Sequence, residues 1–241
     1  MVNSYYTELI RQKPINYNGL IFYPIPFCDI CDYIGLDVFD GLLNPFLLTK
    51  DCIKSDETTL ENIDLFKDII LNDQTMVLSV TVILQLFCKC DDVMRTADGL
   101  TLKFIKEGKE DFIITSDNFE DICQIIMKIN GKEKIKVEKP PKNMSERQRD
   151  VWEKLQAGRK RENAKNTVHI YDMLNVCEFG GNYHIPISEI ESWTLWKIIN
   201  CYKARVNMKT YDDSLKICLV SGDGKSISDK NHWHHKLMVR D

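Results

Sequence analysis

The sequence predicts an α+β protein, with a mixed N-terminal module that contains a β-hairpin and a mainly helical C-terminal module. Two short apolar segments flank a glycine-containing turn at 101–115, which indicates the hairpin. Apolar residues recur at helical spacing beyond residue 145. A lysine-rich stretch with two prolines, 131–144, is typical of a linker between these parts. We therefore predict an acidic module at 1–130 and a basic, mostly helical module at 145–241.

Composition and charge are those of a globular protein with two unlike halves. The 241 residues are 44% hydrophobic and 28% charged, which excludes a wholly disordered or collagen-like chain. Residues 131–241 carry 21 Lys and Arg against 15 Asp and Glu, a net charge of +6. The remaining residues, 1–130, carry 11 and 21, a net charge of −10. Such asymmetry is consistent with two complementary modules or with a basic half that meets an acidic partner.

The cysteine pattern and the hydropathy favour a cytosolic protein. The nine cysteines are odd in number and irregular in spacing, unlike a secreted disulfide framework. The N-terminal 14 residues contain no apolar signal core. The most apolar run, Met76 to Cys88, is too short to cross a bilayer. We expect reduced thiols, a cytoplasmic location and no membrane partner.

The first module begins with one predicted strand and one ambiguous segment. Residues 19–25 are aromatic and β-branched and end at a proline, which predicts a short strand. Residues 59–72 have apolar side chains at helical spacing and predict an amphipathic helix. The run 76–87 is nearly all apolar, so periodicity leaves a buried helix and a buried strand equally open.

The hairpin and the helix after it complete the first module. Residues 101–105 and 111–115 are the predicted strands, with Gly108 in the turn between them. Residues 117–130 predict a helix whose N-cap is Asp117 or Asn118 and which ends at a glycine, Gly131.

The second module opens with a strongly charged helix. Ser145 and Gln148 fit the capping-box pattern, and helical residues continue from there. Val151, Trp152 and Leu155 supply only a narrow apolar stripe.

Further helices follow. We predict a short helix at 168–177 and a longer one that begins at Ser188 and runs to residue 206. A separate segment at 211–220 follows after a short break. The long helix carries large side chains on one face, namely Ile190, Trp193, Trp196, Ile199 and Tyr202.

Four cysteines are candidates for a zinc site. Cys28 and Cys31 are separated by two residues, and Cys88 and Cys90 by one. Four thiolates could hold zinc in a tetrahedron, although ligand pairs are usually separated by two to four residues. The apolar neighbours of these cysteines favour the alternative that they are packed as small hydrophobic residues. A cluster of three histidines, His232, His234 and His235, favours an exposed tail over a metal site.

The remaining candidate motifs are polar or basic. The sequence from Ser221 to Ser226 ends like a phosphate-binding loop but has Leu219 where the first glycine is required, which favours an ordinary polar loop. Arg159, Lys160 and Arg161 could contact nucleic acid phosphates, but a solvated helix face is favoured. No nucleophile elbow or assignable acid–base pair is present, so we expect neither an enzyme nor a cofactor.

The second module resembles tail and baseplate assembly proteins of contractile-tailed phages of Gram-positive bacteria. Three stretches carry the resemblance: 146–161, a helix with a basic end; 187–206, the tryptophan helix; and 231–237, a closing tryptophan segment. Residues 119–131 also fit the layout. The resemblance covers about the last half of the chain, and its motifs are amphipathic helices.

The resemblance implies a function in phage morphogenesis. Such a protein would bind tail or baseplate proteins as an assembly factor, or be a minor structural component, in the host cytoplasm or in the virion. It could also form homo-oligomers. The residues that would carry partner binding are Trp193, Trp196, Ile199, Tyr202, Arg159, Lys160 and Arg161. For the two tryptophans a core position is favoured, because a small helical module needs large side chains for its core, and an exposed aromatic groove is the alternative. A nucleic-acid-binding regulator using 145–165 and a zinc-stabilised interaction module are the alternatives.

Overall fold

The structure is a computed structural model that describes residues 5–53, 63–96, 99–104, 110–135, 137–138, 140–141, 143–165, 167–181 and 183–221. Within these ranges the chain is α+β, as predicted from the sequence. The helices of the first 130 residues are α1 (Tyr6–Ile10), α2 (Phe27–Tyr33), α3 (Leu36–Leu42), α4 (Asn44–Leu47), α5 (Gln74–Cys88) and α6 (Ser116–Ile129). Those that follow are α7 (Glu146–Lys165), α8 (Ile170–Phe179), α9 (Ile187–Ile190) and α10 (Leu195–Ser221). A 3-10 turn at Lys50–Cys52 and a π-helical segment at Leu65–Ile70 lie between α4 and α5.

The first sheet is a two-stranded antiparallel hairpin. Its strands are β1 (Ile15–Tyr17) and β2 (Leu20–Phe22), with Tyr17 opposite Leu20. Asn18 and Gly19 form the turn with φ of 49° and 91°. An Asn-Gly pair readily adopts two positive φ angles, as this tight type of turn requires. The strand predicted at 19–25 is thus β2, and the prediction missed its partner β1.

The second sheet contains the hairpin that the sequence predicts at 101–115. Its strands are β3 (Asp92–Arg95), β4 (Leu100–Lys103) and β5 (Phe112–Ile114), in the order β3–β4–β5 and all antiparallel. Leu100 pairs with both Arg95 and Ile114, which places β4 in the centre. The prediction missed β3, whose side chains are mostly exposed and give no apolar alternation. Gly108 lies outside the described residues.

Two helices of the first part fill the space between the sheets. The apolar run 76–87, which the sequence left open, is helical as part of α5. Helix α6 covers the predicted 117–130 segment, but its N-cap is Thr115. Asn118 occupies the third helical position, where its side chain accepts a hydrogen bond from the Thr115 N–H at 2.9 Å. Gly131 follows the helix with φ of 63°, as its predicted role requires. Of the predicted helix at 59–72, only residues from 63 are described, and they include the π-helical segment.

The beginning of the predicted linker packs against the first part. The Lys132 ammonium lies 2.9 Å from an Asp40 carboxylate oxygen, and Lys134 lies 2.9 Å from Glu120. The Ile135 N–H donates to the Leu47 carbonyl at 2.9 Å.

The helix predicted from Ser188 is interrupted. Helix α9 ends at Ile190, and α10 begins only at Leu195. The intervening carbonyls of Glu191 and Trp193 accept hydrogen bonds from the Cys28 and Phe27 N–H groups at 3.0 and 2.8 Å. These groups are at the start of α2, where helix N–H groups have no partner within their own helix. The break expected before residue 211 is absent, because no glycine or proline interrupts α10.

One hydrophobic cluster joins the two halves of the chain. It includes Phe22, Phe39 and Phe87 from the first half, with Trp196 and Ile198 from α10. The core therefore extends across the sequence position of the predicted linker.

Candidate functional site

Helix α7 is the most exposed element that the structure describes. None of its described side chains is buried. It begins as the sequence predicts, because the Ser145 N–H donates to the Gln148 side chain at 2.8 Å and the Ser145 hydroxyl accepts from the Gln148 N–H at 3.4 Å. This cap stabilises the first turn locally, without any contribution from the core.

An apolar stripe follows one face of this helix. It consists of Met144, Val151, Trp152 and Leu155, and Val151 and Leu155 are 53% and 58% exposed. With the side chains of Arg147 and Gln148, these residues line a shallow depression of about 320 Å³. Contiguous apolar side chains on an otherwise charged surface are typical of a protein interaction site. We refer to these four residues as the α7 stripe.

Positive charge is concentrated at the C-terminal end of α7. Arg159, Lys160 and Arg161 are all exposed, one to two turns beyond Leu155. Arg159 lies 3.1 Å from the Glu138 carboxylate, and both side chains are exposed, so the pair contributes little to stability. Arg159, four residues after Leu155, continues the line of the α7 stripe, whereas Lys160 and Arg161 lie about 100° and 200° farther around the helix.

The two tryptophans are buried, as the favoured interpretation of the sequence expects, and they form no exposed aromatic groove. Trp193 and Trp196 are only 6% and 2% accessible, and both belong to the main hydrophobic cluster. The Lys197 ammonium lies 4.3 Å from the centre of the Trp193 ring, which covers that side chain further. The tryptophans are therefore core residues, and it is the groove alternative that the structure contradicts. Ile199 and Tyr202 are half-buried on the same helix.

The four candidate zinc ligands do not form a site. Among the described residues, which include all four cysteines, no three metal-ligating side chains are grouped. Cys28 and Cys31 line a cavity of about 580 Å³ together with Glu191, whereas Cys88 and Cys90 are buried in the core. Burial raises the pKa of Cys28 and Cys31 and raises that of Cys90 to about 11, which opposes the thiolate form that zinc requires.

A lysine-lined cavity was not predicted. It measures about 330 Å³ and lies between α1, α6, the start of the linker and α10, with Lys128, Lys134 and Lys203 in its wall. Lys134 is neutralised by Glu120, and burial lowers the pKa of Lys128, so less positive charge remains than the lysine count suggests. The sequence could not reveal this cavity because its residues come from four separate segments.

Two other sequence candidates cannot be placed. The three histidines and most of the Ser221–Ser226 loop lie outside the described residues. Within the part of the chain that is described, no helix combines the length and apolar character that a membrane span requires.

Comparisons with known proteins add no relative. No protein-family model matches the chain, and neither the curated proteins nor the solved structures contain a significant match.

Proposed function

We propose that this protein is a protein-binding assembly factor that captures its partner on helix α7. The observation that carries the proposal is the α7 stripe, an apolar face on a capped helix whose described side chains include none that is buried. A stable helix that leaves such a face uncovered is suited to a helix or groove of another protein.

The charge of α7 specifies the chemistry of that partner. The helix carries seven Lys and Arg against four Asp and Glu, and Arg159 continues the line of the stripe. The matching surface is an apolar helix or groove with a carboxylate on the side that faces Arg159. Charge complementarity of this kind increases the association rate and selects the orientation.

The resemblance supplies the class of partner. We infer that the partner is a tail or baseplate protein of a contractile-tailed phage, bound in the host cytoplasm before or during assembly. A self-assembling protein needs a cover for its apolar or edge-strand surface until it joins the particle. The buried tryptophans take no direct part, so the proposal rests on α7 and no longer on the face of α10.

Nucleic acid binding is the second candidate. The exposed Arg159, Lys160 and Arg161 favour it, because phosphate contacts require accessible cations. Trp152 is the aromatic side chain closest to them in the helix and belongs to the apolar stripe.

The test is co-expression of the full chain with each tail and baseplate protein of the same genome. A tag on this chain recovers the complex, and its stoichiometry is measured by light scattering. Leu155→Asp places a charge in the α7 stripe and should reduce recovery at least tenfold. Ala157→Asp is the matched control, because it adds the same charge about 200° around the helix.

Two outcomes would reject this proposal. The first is a complex that Leu155→Asp and Ala157→Asp retain equally. The second is recovery of nuclease-sensitive nucleic acid that dissociates steeply with salt and is lost on replacement of Arg159, Lys160 and Arg161 by glutamine. The second outcome would establish the nucleic acid candidate instead.

A further inference from the structure

Two thiols meet where α8 packs against α10. None of the nine cysteines, all within the described residues, is in a disulfide bond, and Cys177 on α8 is fully buried. Its sulfur lies 3.5 Å from the carbonyl oxygen of Ile198 on α10. Cys201 is one helical turn beyond Ile198 and is half-buried, so its side chain lies beside the same carbonyl. The two thiols are close enough for each to shift the pKa of the other.

A second contact confirms the register of the two helices. The Arg205 guanidinium donates to the Val176 carbonyl at 3.1 Å and to the Tyr183 carbonyl at 3.3 Å. Ile198 and Arg205, which contact Cys177 and Val176 of α8, therefore lie on either side of Cys201 along α10. Helix axes that pack at about 8–10 Å bring facing Cα atoms to about 3.5–5.5 Å, which overlaps the range of about 4.4–6.8 Å that a disulfide bond needs.

The surroundings make the two thiols unequal. The hydrogen bond from Cys177 lowers the pKa of Cys201, with further support from the positive charges of Arg205 and Lys197. The same contact with Cys201, together with burial, raises the pKa of Cys177. A more acidic and more accessible thiol beside a protonated one is the arrangement found in reactive dithiols.

We propose that Cys177 and Cys201 are a redox modification site, which a small peroxide converts to a disulfide bond between α8 and α10. The Cys201 thiolate attacks one peroxide oxygen, so that an S–O bond forms, the O–O bond breaks and the leaving hydroxide is protonated to water. Cys177 then attacks the sulfenic sulfur, an S–S bond forms, and the second hydroxide leaves as water with the Cys177 proton. Two thiols lose two electrons, and one peroxide becomes two waters.

The disulfide would close a loop that carries an important contact. The segment between the two cysteines contains α9 and Trp193, whose carbonyl accepts from the Phe27 N–H at 2.8 Å. Oxidation would therefore restrict the segment that holds α10 against the first part of the chain. Disulfides in cytosolic proteins are usually transient and regulatory, which is consistent with a reversible bond at this position.

The test uses the reduced full-length protein and hydrogen peroxide. Free thiols are alkylated after increasing exposure, and the peptides are identified by mass spectrometry. We expect a cross-link between the peptides of Cys177 and Cys201 to form before any link that involves Cys28 or Cys31. A Cys201→Ser variant should lose this cross-link, whereas Cys28→Ser should form it at the wild-type rate.

The pH dependence of alkylation provides an independent readout. Cys201 should reach half its maximal rate with iodoacetamide below about pH 8.5, the ordinary value for a thiol. Cys28, whose pKa is raised mainly by burial and secondarily by Asp29, should reach it at a higher pH. Arg205→Gln should shift the Cys201 midpoint upward, and Arg205→Lys should shift it less, because Arg205 is a positioning residue that also stabilises the thiolate.

Three results would overturn the inference. Cys177 and Cys201 could remain reduced at a peroxide dose that oxidises Cys28 and Cys31. The cross-link could form as fast in urea as in the folded protein, which would show that the fold does not favour it. The alkylation midpoint of Cys201 could equal that of Cys28, which would show that its surroundings do not activate it.

Discussion

Helices α6 and α7 begin with the same kind of cap but differ in how much of their surface is buried. Each has a capping box, in which Asn118 accepts from the Thr115 N–H at 2.9 Å and Gln148 accepts from the Ser145 N–H at 2.8 Å. Yet α6 buries seven side chains, namely Phe119, Ile122, Cys123, Ile125, Ile126, Met127 and Ile129, whereas α7 buries none of its described ones.

The difference separates two contributions to helix stability. Capping and helix propensity determine where each helix starts, and they act within one or two turns. Burial of a wide apolar face determines whether the helix belongs to the cooperative core. Helix α6 has both contributions. Helix α7 has only the first, so it can form a binding surface whose changes leave the core intact.

The largest expected contrast comes from removing one apolar side chain from each helix. Ile126→Ala empties a fully buried position in α6 and should lower the free energy of unfolding by about 2–5 kcal/mol. Leu155→Ala in α7 should change it by less than about 0.5 kcal/mol, because this side chain is 58% exposed. Urea denaturation followed by circular dichroism measures both. Equal decreases in the free energy of unfolding would mean that another part of the chain covers α7 in solution, so that the two helices do not differ in burial.

A smaller contrast comes from two glycines. Gly131 ends α6 with φ of 63°, and an added Cβ would lie 2.8 Å from the Ile199 Cδ1. Gly131→Ala should therefore cost about 1–2 kcal/mol. Gly158 lies inside α7, and beyond its chain neighbours and the backbone of its own helix no heavy atom is within 4 Å of an added Cβ. Gly158→Ala should therefore increase helicity and leave the melting temperature almost unchanged. A lower melting temperature for Gly158→Ala would reveal a neighbour against this face of α7.

The smallest expected difference is between variants of the two capping boxes, and it separates local from global stability. Asn118→Ala removes the Asn118 half of the α6 capping box and a 2.9 Å hydrogen bond to the Ile113 carbonyl, and it should cost about 1 kcal/mol of global stability. Gln148→Ala removes the corresponding half of the α7 capping box, the hydrogen bond from the Ser145 N–H. It should accelerate amide hydrogen exchange in the first turn of α7 and leave the slowest exchanging amides of α6 unaffected. Acceleration in both helices would show that α7 unfolds together with the core.

Several parts of the fold follow from neighbouring residues and were predicted on that basis. The hairpin β4–β5, helix α6 and the start of α7 at Ser145 depend on alternation, periodicity and caps that span fewer than about 15 residues. The strands that were missed have weak local signals. Strand β1 has only three residues, and β3 is mostly exposed, so their pairing depends on the partner strand.

The candidate site was predicted in part. The apolar stripe Val151, Trp152 and Leu155 and the cations at 159–161 are readable from the sequence, since both lie on one continuous helix. The burial of Trp193 and Trp196 was the favoured interpretation of the sequence. The interruption between α9 and α10 was not readable, because carbonyls of Glu191 and Trp193 bond to N–H groups more than 160 positions earlier. The pairing of Cys177 with Cys201 likewise requires two helices to be packed in one register.

The sequence alone thus determined the α+β class, the charge asymmetry and the helices that begin at local caps. The tertiary structure alone decided which of two amphipathic faces is buried, which aromatic side chains are core and which thiols face each other. The physical reason is the sequence distance over which each effect acts. Capping and periodicity act between residues a few positions apart, whereas burial depends on which distant segment packs on a face and removes water from it.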